Sequence, residues 1–167
     1  MQQPPLLPEV TLSRVLRLAR VDGMGAMVLG GMFALVAASA RDFPFAAIGL
    51  LAAGAGAIEL HGAALLRQGE QRGMNWLIAS QPYLLIVIFG YCALRLWLVE
   101  IPPVPEAFQA ILAMSARQWG LSVADYQRVL NQITILAVAI VSVGFQGGMT
   151  IYYLRRRHAV ARALAAE

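Results

Sequence analysis

Four apolar runs, residues 23–40, 43–66, 74–99 and 133–154, fill more than half of this 167-residue chain, and each is long enough to cross a lipid bilayer. A helix rises 1.5 Å per residue, so spanning about 30 Å of hydrocarbon takes roughly 20 residues. Two of the runs, the first and the fourth, contain no Asp, Glu, Lys, Arg or His. Irregular backbone cannot sit in hydrocarbon with its amides unpaired, so runs of this kind fold as helices. The expected fold is therefore all-α: a polytopic membrane protein built as a four-helix transmembrane bundle with short amphipathic interfacial helices. With 59% hydrophobic and 13% charged residues, the composition lies outside that of an ordinary soluble domain. Residues 1–167 read as a single membrane domain.

A net charge of +4 could suggest a nucleic-acid partner, but the arginines sort by membrane side. Arg14, Arg17 and Arg20 precede the first run, Arg67 and Arg72 lie between the second and third, and Arg155, Arg156, Arg157 and Arg162 follow the fourth. The opposite side carries Arg41, Arg117 and Arg128 against Asp42, Glu100, Glu106 and Asp125. The positive-inside rule then predicts a multi-pass protein of the cytoplasmic (inner) membrane with both termini cytoplasmic. It also predicts that Arg155, Arg156 and Arg157 contact anionic lipid headgroups. The expected partner is the bilayer, with no nucleic acid. A signal-peptidase reading of Ala38-Ser39-Ala40 would leave three spans, but forty residues is long for a signal peptide, so the first run is expected to stay.

Between the runs, the pattern predicts a chain without fixed structure over residues 1–10, where Pro4, Pro5 and Pro8 fall. An amphipathic interfacial helix is expected over 11–21, with Leu12, Val15, Leu16 and Ala19 on one face, arginines on another, and a bend into the membrane at Asp22-Gly23; the alternative is that 11–21 is the cytoplasmic end of the first span. The short link around Arg41, Asp42 and Pro44 makes the first two spans antiparallel neighbours. Residues 100–132 form an extracytoplasmic helical loop, with an apolar stripe at Phe108, Ile111 and Leu112, a stop at Gly120 and a capping box at Ser122 and Asp125. From there the pattern allows one long rod. Residues 155–167 read as a basic cytoplasmic tail.

Glu59 is the costliest residue to keep in lipid, at least about 2.5 kcal/mol on insertion scales, and should face protein. At about 100° per residue it shares a face with Ala52, Ala55, Gly56, Gly62 and Ala63, small residues that let another helix approach closely. Counted inward from the cytoplasmic ends, Glu59, Gln81 and Gln146 all lie roughly 8 to 12 Å deep. They are expected to form one intramembrane polar layer. Gln132, Ser142, Thr150 and Tyr153 share the stripe of Gln146. The layer reads either as a hydrogen-bonded clasp or as a proton or cation site. Arg95, near the outer end of the third span, lies too far from it to pair and is expected to reach Glu100, Asp42, Asn131 or the headgroups. Gly144 and Gly148 form a GxxxG pair on the opposite face of the last span, a candidate helix–helix interface. Within the chain, its alternative partner is the first span, through Ala26, Gly30 and Ala34.

No nucleophile–base pair, phosphate-cradling loop or metal-ligand spacing emerges from the pattern, and His61 stands about 160° from Glu59 on the helix. The single cysteine, Cys92, reads as a packing residue. The expectation is a protein that is not an enzyme and uses neither cofactor nor metal. It would be a non-catalytic subunit that forms a homo-oligomer or joins a membrane-protein partner. The alternative is a small oligomeric channel or a proton- or cation-coupled carrier using Glu59.

Overall fold

The computed structural model describes residues 8–97 and 105–165. They form five helices, α1 (Pro8–Ser39), α2 (Phe43–Arg67), α3 (Gly73–Trp97), α4 (Glu106–Gln118) and α5 (Val123–Leu164), and no strand occurs among the described residues. The fold is all-α, and α1, α2, α3 and α5 are each long and apolar enough to cross a membrane. The chain divides into two compact units: one runs to Ile88 and resumes at Ser142, and the other is Phe89–Val141. Most of the reading of residues 1–10, together with Glu100, Pro102 and Pro103, falls outside the described residues.

In the first unit, α1 and α2 pack along a seam of small residues. A Cβ added at Gly30 would lie 2.6 Å from the Ala53 amide nitrogen, and one at Gly56 would lie 2.5 Å from that of Met27. Only glycine permits backbones this close. The seam uses Gly30 and Ala34 for α2, so these two residues do not meet the glycines of α5. Asp42 caps α2, its Oδ1 accepting from the Phe45 amide at 3.4 Å, and Pro44 occupies the first turn, where a missing N–H costs nothing.

The interfacial helix expected at 11–21 is not separate. α1 runs unbroken through Asp22 and Gly23, which keeps every backbone amide paired where it enters hydrocarbon. Thr11, Val15 and Ala19, spaced by four, are buried. Val15 and Ala19 join Ala63 and Leu66 of α2, Met74 and Leu77 of α3, and Met149, Tyr153 and Val160 of α5 in one apolar core. That face of α1 meets protein where headgroup contact was expected. The basic tail is likewise helical as far as Leu164, with Val160 and Ala163 buried, so residues 155–164 belong to the bundle.

The link between α2 and α3 turns at Gly69, whose φ of +80° suits glycine, and carries the exposed Arg72–Glu70 ion pair. Pro82 lies inside α3; it has no N–H to give the Ile78 carbonyl.

In the second unit, α4 ends before Gly120, which adopts φ +66°. Ser122 then starts α5: its Oγ accepts from the Asp125 amide at 3.1 Å and donates to the Asp125 carboxylate at 2.6 Å. Phe108 and Ile111 remain exposed on α4. Cys92 is buried, with its thiol 3.9 Å from the Ile135 carbonyl. α5 is one helix of 42 residues, about twice what a bilayer requires.

Candidate functional site

Glu59 is buried, 2% exposed, on the small-residue face of α2. Ala55, Gly56, Gly62 and Ala63 are buried with it, as the angular spacing predicts. Gly23 of α1 provides the room: a Cβ there would stand 3.3 Å from that of Glu59. Two donors converge on Glu59 Oε1. The Tyr153 hydroxyl of α5 donates at 2.6 Å and Gln81 Nε2 of α3 at 3.2 Å. The same Gln81 nitrogen donates to Asp22 Oδ2 of α1 at 3.2 Å. Three hydrogen bonds thus join all four long helices through one carboxylate and one amide. Gln81 is 1% exposed, and its Oε1 is buried without a hydrogen-bond partner.

The expected polar layer is partly different in membership. Gln146 is buried, but it makes no hydrogen bond to Glu59 or Gln81, and its Oε1 has no partner. The Thr150 hydroxyl donates to the Gln146 backbone carbonyl at 2.7 Å and is used within its own helix. Ser142 is half-buried and takes no part in the cluster, and Gln132, at the far end of the stripe, is exposed. Tyr153 holds the place expected of Gln146, seven residues and two helical turns further along the same face. Asp22, read from sequence as a bend, is a half-buried mid-helix acceptor. The signal for Tyr153 lay in its stripe; Asp22 had none beyond its being an acid at the start of an apolar run.

No arginine pairs with Glu59 or Asp22 among the described residues, and the Arg72–Glu70 and Arg128–Asp125 pairs are exposed. Arg95 is half-buried in the second unit. Among the described residues no three of His, Cys, Asp and Glu gather where they could hold a metal ion. His61 is exposed and stacks edge-on against Trp76, centroids 5.4 Å apart. Gly144 and Gly148 are exposed, with open space where a Cβ would be. Of the basic cluster, Arg155 and Arg157 are exposed, while half-buried Arg156 lies over the Tyr152 ring at 5.8 Å.

Comparison with known proteins finds no matching family model, no similar curated protein and no similar solved structure.

Proposed function

We propose that this multi-pass protein is a non-catalytic subunit of the cytoplasmic membrane, with both termini cytoplasmic, that self-associates through α5 or docks there on a larger membrane assembly. One observation carries the reading. Gly30, Gly49, Gly56 and Gly73 abut neighbouring helices, whereas Gly144 and Gly148 of α5, like Gly25, Gly31 and Gly90, have open space where a Cβ would be, and Gly144 and Gly148 are spaced by four on one helix face. A GxxxG pair left unused inside its own chain, flanked by exposed Ile140, Val141 and Phe145, offers a second helix the close approach that such pairs favour. On this reading Glu59 is structural, each of its hydrogen bonds contributing about 0.6 to 2 kcal/mol within the membrane.

A second reading, a proton- or cation-coupled carrier, is favoured by one feature: two carboxyl groups, Glu59 and Asp22, share a single amide, and no arginine forms an ion pair with either among the described residues. Reconstituted liposomes separate the two. The subunit reading expects no proton or sodium flux from wild type, and disulfide cross-linking between copies carrying Gly144→Cys in a Cys92→Ser background. Flux abolished by Glu59→Gln overturns it in favour of the carrier, and absence of cross-linking removes self-association.

A further inference from the structure

Two grooves at the surface of the first unit share one wall, Tyr152. One, of about 330 Å³, is lined by Arg14, Arg17, Leu18 and Val21 of α1, and the other, of about 480 Å³, by Gly148, Ile151, Arg155 and Arg156 of α5. Each set follows the three-and-four spacing of a single helical face. Along α1 the arginines come first and the apolar residues follow toward the membrane run. Along α5, which returns in the opposite sense, the apolar residues come first and the arginines follow. Both helices therefore place their arginines at one end of the surface and apolar residues at the other, with arginine stems lining the grooves.

We propose that this double groove is a binding site for one anionic phospholipid, its phosphate held by Arg14, Arg17, Arg155 and Arg156 and its acyl chains laid along Leu18, Val21 and Ile151. Charge complementarity selects this occupant. None of the four arginines pairs with a carboxylate among the described residues, so the site concentrates positive charge that an anion neutralises. A free phosphate would leave the apolar half of the groove unused. A second copy docking symmetrically here would set arginine against arginine. The Tyr152 ring joins the two halves: it lines both grooves, and Arg156 is stacked over it. The site does not depend on self-association, although Gly148 borders both surfaces.

Native mass spectrometry of the full chain, released from detergent with added phosphatidylglycerol, phosphatidylcholine or glycerophosphate, tests the assignment. The expected result is one phosphatidylglycerol retained per chain and no phosphatidylcholine retained at equal concentration. The Arg155→Gln/Arg156→Gln double variant should weaken phosphatidylglycerol binding roughly 30-fold. Arg157→Gln, in a different groove beside Gln71 and His158, should leave it unchanged. Val21→Trp fills the apolar half while keeping every arginine, and should also reduce retention. Equal retention of phosphatidylcholine, glycerophosphate bound as tightly as the lipid, a dimer without lipid, or wild-type affinity in either Arg155→Gln/Arg156→Gln or Val21→Trp would each overturn the proposal. Unchanged helical circular dichroism identifies variants that remain folded.

Discussion

Glu59 keeps its place because two donors from two other helices reach the same oxygen, and that makes the consequences of substitution unequal. Tyr153→Phe removes the shorter bond while leaving the carboxyl group buried, and should destabilise the bundle by about 1–3 kcal/mol. Glu59→Gln retains a carbonyl oxygen that can accept from both Tyr153 and Gln81, and should cost less, about 1 kcal/mol or under. Reversible unfolding in mixed micelles measures both; a larger loss for Glu59→Gln than for Tyr153→Phe would mean that the carboxylate itself, and not its hydrogen bonding, is what matters. The inward direction of Glu59 was legible from the alanines and glycines beside it, and Gln81 from its depth. Tyr153 was harder to place because a tyrosine at the end of an apolar run also suits the membrane interface. Asp22-Gly23 resembled a helix break, yet Gly23 is there to let Glu59 approach α1. Gln146 was misplaced by counting depth from an assumed helix end, while α5 continues to Leu164 and brings the residue two turns later level with Glu59.

At the scale of elements, glycine has opposite meanings on α2 and α5. Gly56 lies against the backbone of α1, so any side chain there must push two helices apart, and overpacking of this kind costs about 1–3 kcal/mol even when the neighbours relax. Gly56→Leu should therefore destabilise the isolated chain, and Gly144→Leu, with open space around it, should leave that stability unchanged. The same unfolding assay distinguishes them, and equal losses would place Gly144 against a neighbour in its own chain. The four apolar elements could be read from hydropathy alone because hydrocarbon thickness sets their length. The uninterrupted pattern after Ser122 also allowed the long α5, but which faces of residues 11–21 and 155–164 meet protein could not be read. Nothing in the local pattern of residues 11–21 or 155–164 distinguishes a face lying on lipid from one lying on protein. The deciding contacts, such as Val15 and Val160 in the core shared with Leu66 and Leu77, come from residues far apart in sequence.

At the scale of the molecule, the first unit holds a small polar centre where all four long helices meet, and many large apolar side chains of both units are exposed, as lipid solvation permits. The proposed self-association centres on Gly144 and the proposed lipid site on the arginine-flanked Tyr152 groove, and Gly148 borders both. The most direct measurement of the central functional claim is Förster transfer between donor- and acceptor-labelled copies in bilayers as lipid progressively dilutes the protein. Wild type and Glu59→Gln should show transfer that persists upon dilution. Gly144→Leu, folded but unable to bring helices close, should fall to the level of random encounters. Random-encounter transfer for wild type, or transfer in Gly144→Leu equal to wild type, would contradict self-association through α5.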